Sequence, residues 1–137
     1  MADYKLNEIE GIGPTYAAKF AKAGIKTVGS LLKHGCTREG RRSLAEKTGI
    51  EKSSILKWVN MADLFRVKGI GSEYSELLEK AGVDTVKELR NRNSENLHAK
   101  MQAVNTAGRA LVRQLPSLSQ VDKWIKEARK MGPKVTY

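Results

Sequence analysis

Cysteine is nearly absent from this chain. Cys36 stands alone among 137 residues, so no intramolecular disulfide can form. That scarcity fits a reducing compartment, and a cytoplasmic location is the expectation. Aromatic residues amount to only 6%, so aliphatic side chains and alanine must fill the core. Three prolines and no alternating β-branched run argue against a sheet. No apolar run approaches the ~20 residues needed to cross a bilayer. The opening Met1-Ala2-Asp3-Tyr4-Lys5 has no apolar leader character, so no membrane role is expected. Acidic residues are few as well, 15 against 25 lysines and arginines. The resulting net charge of +10 favours polyanionic partners such as nucleic acid.

Several catalytic signatures are missing. There is no Gly-Lys-Ser/Thr phosphate loop and no Gly-x-Ser-x-Gly elbow. Gly11-x-Gly13 is followed by Tyr16 where a dinucleotide fingerprint needs glycine, and no strand precedes it. His34 and Cys36 lack two further ligands at zinc spacing, His98 is isolated, and the neighbouring Glu8 and Glu10 read as surface groups. No catalytic residue and no metal site are assigned, and the chain is not expected to be an enzyme.

What the chain does contain is a repeat. Gly11-Ile12-Gly13 recurs as Gly69-Ile70-Gly71, 58 residues on. Around it, 11 of the 27 positions from Leu6 to Leu32 are identical at that offset, among them Tyr16/Tyr74, Ala23-Gly24/Ala81-Gly82, Thr27-Val28/Thr85-Val86 and Leu31/Leu89. Such self-similarity marks one structural unit used twice. Trp58 and Ala62 return as Trp124 and Ala128 at an offset of 66, so the second copy holds a net insertion of eight residues. The domains read as 1–60, 61–132 and a loose tail, 133–137.

Periodicity predicts an all-α fold. Helices are expected over 3–9, 14–23, from Thr27, from Thr37 to Gly49, 52–67, 72–81, from Thr85, from Ser94, 107–115 and from Ser117. Thr27, Thr37 and Ser94 are expected N-caps, and Thr85-x-x-Glu88 and Ser117-x-x-Gln120 have capping-box spacing. Gly24 and Gly82 suit helix ends. The 52–67 helix is expected to serve both repeats. Trp58 and Trp124 fall on apolar faces and are assigned to the core.

Helix, hydrophobic-x-Gly-hydrophobic-Gly, helix, then Ala-Gly-hydrophobic-x-Thr-Val resembles the helix-hairpin-helix motif. It stands here as Ile9-Glu10-Gly11-Ile12-Gly13 and Val67-Lys68-Gly69-Ile70-Gly71. The chain is also similar, over nearly its whole length, to a family of tandem helix-hairpin-helix proteins catalogued as a domain of unknown function. The passages that carry this are Trp58–Leu64, Arg92–Met101 and the segment around Pro116 and Trp124. The resemblance implies binding of the DNA backbone without sequence preference, and a monovalent cation is held at the turn in some such modules.

The turn residues fit that chemistry. Glycine lets a phosphate approach the backbone, and amides at a helix N-terminus face it. The candidate nucleic-acid-binding residues are Gly11, Ile12, Gly13, Thr15, Lys19 and Lys22 in the first copy and Gly69, Ile70 and Gly71 in the second. Ile12 is expected to point inward and pin the turn. Lysines follow the first turn, whereas Glu73, Glu76 and Glu79 follow the second and would repel a phosphate. Lys19 is replaced there by Leu77, so the second hairpin reads as structural, or as built for a protein partner. Weaker basic groupings are Arg38/Arg41/Arg42, Arg109/Arg113 and Lys123/Lys126/Lys130 with Arg129. The rival to DNA binding is a protein-interaction adaptor whose hairpins are structural.

Overall fold

The computed structural model of the chain describes residues 3–107 and 110–137. Among them every extended secondary-structure element is helical. A 3-10 turn at Leu6–Glu8 precedes α1 (Pro14–Lys22), α2 (Val28–Gly35), α3 (Arg38–Thr48), α4 (Lys52–Leu64), α5 (Ser72–Lys80), α6 (Val86–Leu89), α7 (Ser94–Thr106) and α8 (Leu118–Lys130). The expected all-α class is the one observed. The chain divides into two compact units, Met1–Asp63 with Lys134–Tyr137 and Leu64–Pro133.

In unit one, short helices start where side chains supply the missing acceptors. Thr27 Oγ1 takes the Ser30 N–H and Thr37 Oγ1 takes the Gly40 N–H, the N-cap bonds that their positions predict. The buried side chains include Leu6, Ile9, Ile12, Phe20, Ile25, Leu31, Ile55 and Trp58. Phe20 and Trp58 meet edge to face, with ring centroids 5.9 Å apart. Burying such aliphatic and aromatic groups contributes roughly 1.5–3 kcal/mol each, which is what holds helices too short to persist alone.

Unit two has its own core, with Leu64, Val67, Ile70, Leu77, Leu78, Val86, Leu89, Met101, Trp124 and Ile125 in one cluster. Thr85 Oγ1 caps α6 by accepting from Glu88 N–H, and Ser117 Oγ caps α8 by accepting from Gln120 N–H.

Several expectations need correction. The 3–9 segment is not a helix beyond the Leu6–Glu8 turn. Its beginning is extended, with Lys5 in an isolated antiparallel bridge to Thr27, because the Asp3 carboxylate and the Tyr4 carbonyl take the Gly29 and Val28 amides at the start of α2. The expected 52–67 helix stops at Leu64, where the Val67 N–H turns back to the Leu64 carbonyl, an i−3 bond. The N-cap of α7 is Asn93, whose Oδ1 accepts from Asn96 N–H; Ser94 is the first helical residue.

In the stretch expected as a helix over 107–115, residues 110–115 are not helical. Asn105 Oδ1 takes the Leu111 and Val112 amides at 2.7 and 3.1 Å, which substitutes a side-chain acceptor for a helical carbonyl. Arg109 lies outside the described residues.

Residues 134–137, read as a loose tail, are packed into unit one. Val135 is buried, Thr136 N–H donates to Cys36 O at 2.8 Å, and the buried Arg41 donates to the carbonyls of both Gly35 and Thr136.

Candidate functional site

The two Gly-Ile-Gly turns are closed by the same bonds. In the first, Ile9 N–H donates to Leu6 O and Ile12 N–H to Ile9 O, both at 3.1 Å. In the second, Val67 N–H donates to Leu64 O and Ile70 N–H to Val67 O, again at 3.1 Å. Between these bonds the chain reverses at one residue of positive φ, Gly11 at 96° and Gly69 at 94°. Only glycine adopts that conformation cheaply. A Cβ at Gly11 would also lie 3.0 Å from Trp58 Nε1, and one at Gly69 3.1 Å from Trp124 Nε1.

The second glycine of each turn differs. Gly13 and Gly71 have φ of −88° and −119°, and a Cβ on either would meet nothing within 4 Å. Folding requires the first glycine of each pair, whereas the second leaves the backbone open to the outside.

The candidate residues are distributed accordingly. Ile12 and Ile70 are buried, so their side chains pin the turns and only their backbone can meet a ligand. Gly13 opens α1 as its N-cap without a side-chain acceptor, and the first amides of a helix have no preceding turn to bond. Pro14 supplies no N–H, which leaves those of Gly13, Thr15 and Tyr16 at this end. The first turn of α1 contains no acidic residue. Thr15, Lys19 and Lys22 are exposed. Lys19 Nζ sits 5.6 Å above the Tyr16 ring, a cation–π contact that orients its ammonium. Tyr16 in turn packs on Trp58, with centroids 4.9 Å apart.

The second turn is built from the same backbone but carries its own anion. The Lys68 N–H donates to Glu127 Oε1 at 3.2 Å, from α8. Glu73 lies in the first turn of α5, and Leu77, in the place of Lys19, is fully buried. At the offset that relates Trp58 to Trp124, Glu127 corresponds to Met61, a buried thioether with no carboxylate to offer. The residue matching Lys68 is Glu10, which is exposed. Neither Glu127 nor its amide partner was singled out from sequence, since they are 59 residues apart.

The other basic groupings are partly consumed within the fold. Arg41 is inward, and burial lowers its guanidinium from the usual value without discharging it. Arg42 pairs with Glu46 at 3.7 Å. Lys126 pairs with Asp122 at 2.9 Å, and that ammonium's hydrogen bond holds the Asp122 carboxyl below its ordinary value. Arg90 and Arg129 each donate to the other's carbonyl oxygen.

Asp3 forms an internal anion at the start of α2. Burial is the largest single influence and pushes its carboxyl up, but hydrogen bonds from Thr27, Gly29 and Tyr4 together outweigh it and leave the carboxyl lowered. His34 Nδ1 faces the Ser30 carbonyl and His98 Nε2 the Pro116 carbonyl, each at 2.9 Å. Among the described residues, no three of His, Cys, Asp and Glu gather as metal ligands, and no helix is long and apolar enough to cross a membrane.

Comparison with known proteins returns one family. No curated protein and no solved structure matches the chain. The family described as domain of unknown function DUF4332 matches residues 10–131, from the first Gly-Ile-Gly turn to the end of α8, and the chain belongs to that family.

Proposed function

We propose that the chain is a pair of helix-hairpin-helix modules and that the first binds the nucleic-acid backbone without sequence preference. The tandem reading is supported by turn bonds and positive-φ glycines that recur 58 residues apart. Binding would use the amides from Gly13 onward for a phosphate, with Lys19 and Lys22 supplying charge to the same strand. Phosphate contacts of this kind position a protein but carry no sequence information.

One observation carries the reading. In the second turn the amide of Lys68, which matches Glu10 and lies just before the glycines, holds a carboxylate oxygen of Glu127, so the entry to this turn accommodates an anionic acceptor beside the amides that open the next helix. The first turn has the same geometry, with Met61 in the corresponding place and two exposed lysines on the following helix. Its anion would come from outside.

Fluorescence anisotropy tests this with two unrelated DNA duplexes at two salt concentrations. The wild type should bind both alike, at about 10⁻⁴–10⁻⁶ M near physiological salt, and weaken steeply as salt rises. Lys19→Glu with Lys22→Glu should abolish binding and leave the circular dichroism unchanged, since both side chains are exposed. Binding that tolerates salt, or that survives this pair, defeats the proposal.

A second reading has its own support. A groove of about 520 Å³ beside α1 has apolar walls from Pro14, Ala17, Ala21 and Ile25 and is rimmed by Lys5 and Lys26. It suits an acidic segment with an apolar residue, as an adaptor would need. Such a contact would keep much of its strength at high salt, unlike backbone binding.

A further inference from the structure

Unit one holds a second cationic feature that shares no residue with the first turn. A cavity of about 240 Å³ is lined by Arg38, Arg41, Lys52, Ser53, Leu56 and Tyr137. Three of the six are cations, and no aspartate or glutamate is among them. Like charges gathered in one concave site raise the local concentration of anions. Arg38 and Lys52 are exposed and can reach a ligand, while Arg41 is held in place by the carbonyls of Gly35 and Thr136.

The cavity also presents an aromatic face. Tyr137 is 65% exposed as a residue, and the Arg41 guanidinium lies 6.0 Å from its ring centroid. The segment that carries it is anchored by Thr136 N–H to Cys36 O at 2.8 Å, and the Tyr137 hydroxyl meets Asn60 Oδ1 at 3.4 Å. An exposed ring on an anchored backbone, beside cations, is the combination on which a base stacks while its phosphate is neutralised. Leu56 adds an apolar contact, and the Ser53 hydroxyl a polar one.

We propose that this cavity binds a single nucleotide, with its phosphate on Arg38 and Lys52 and its base on Tyr137. The volume lies below the ~300–1,000 Å³ of drug-sized pockets, so the cavity would take one nucleotide at a time, free or as part of a strand. Free nucleoside monophosphate and a nucleotide within a single strand share this chemistry. The site does not depend on phosphate binding at the first turn.

The test is a titration of the ¹⁵N-labelled full chain at low salt, followed by amide chemical shifts. The probes are AMP, adenosine, inorganic phosphate and a short 5′-phosphorylated oligo(dA). AMP should shift the amides of Arg38, Lys52, Ser53 and Tyr137, and should bind at least about fivefold more tightly than adenosine or phosphate alone. Arg38→Glu with Lys52→Glu should abolish AMP binding. Tyr137→Ala should weaken AMP by about 5–150-fold, the worth of one stacked base, and leave phosphate binding unchanged. Tyr137→Phe should retain AMP, which separates stacking from loss of the hydroxyl contact.

Lys19→Glu with Lys22→Glu should not alter AMP binding. Oligo(dA) that shifts these amides where AMP does not supports the site with a strand as its source. The proposal falls if neither probe shifts them, if phosphate binds as tightly as AMP, if Tyr137→Ala has no effect, or if the first-turn pair abolishes AMP binding.

Discussion

At the scale of single residues, the two glycines of each turn answer to different demands. Gly69 combines a φ of 94° with an indole nitrogen only 3.1 Å from where a Cβ would sit. Gly69→Val should therefore cost on the order of 1–3 kcal/mol, visible as a lower midpoint in thermal unfolding. Gly13 is under neither constraint. Gly13→Ser adds an N-cap oxygen and stiffens the unfolded chain, so stability should hold or rise by about 0.5–1 kcal/mol. Its hydroxyl would compete for the amides offered to phosphate, and duplex affinity should fall; unchanged affinity would separate those amides from binding. Asp3 allows a pH test. Its carboxyl is lowered in the folded chain, so its stabilisation is complete above the unfolded value near 3.9 and is lost as pH drops through the folded value. Asp3→Asn should lose only about 0.5 kcal/mol at pH 7, because the group is exposed and solvent-screened, and the deficit should shrink as pH falls below the unfolded value in paired melting curves.

At the scale of elements, the tryptophans explain why each turn keeps its shape. Trp58 and Trp124 lie on α4 and α8, and each indole sits against the positive-φ glycine of its own unit's turn and against a tyrosine from the helix that follows that turn. Trp124→Ala should leave a hole costing about 3–5 kcal/mol. Because the lost indole backs Gly69, hydrogen exchange at Val67 and Ile70, whose amides close the turn, should accelerate at least as much as elsewhere in unit two. An unchanged rate there would remove the indole as the turn's support. The contrast between α1 and α5 is also an element property. The helices are of equal length and begin after the same turn, but α1 sends Lys19 outward where α5 sends Leu77 inward.

At the scale of the molecule, charge alone does not choose between the units. The residues of unit one include 12 lysines and arginines against 7 acidic residues, and those of unit two 13 against 8, so each nets +5. Any difference in binding must come from where charges sit relative to the turn amides. Glu10 is the carboxylate nearest in sequence to the first turn. Glu10→Lys should tighten duplex binding and steepen the salt slope by roughly 0.9 if it gains one phosphate contact. Glu46→Lys applies the same charge change on α3 in the same unit. Equal tightening by both, read by anisotropy across a salt series, would show attraction to total charge and count against a phosphate site at the turn.

The features legible in the chain were those governed by residues close together along it. Helix starts at Thr27, Thr37, Thr85 and Ser117 rest on a bond three residues ahead, so their chemistry is written locally. The all-α class and the recurrence of the Gly-Ile-Gly turn follow from spacing for the same reason, whereas only the structure shows which glycine of each pair has positive φ. Asn93 displaced Ser94 as a cap because both residue types serve and only packing selects the register. The features that escaped the sequence join distant positions: Glu127 to the Lys68 amide, Asp3 to Gly29, Arg41 to Thr136, and Asn105 to an irregular loop in place of a helix. A carboxylate or guanidinium has the same composition whether it faces solvent or a backbone group brought near by folding. Long-range packing alone sets the Glu127 carboxylate against the Lys68 amide of the second turn, whereas Met61 holds the corresponding position in the first copy.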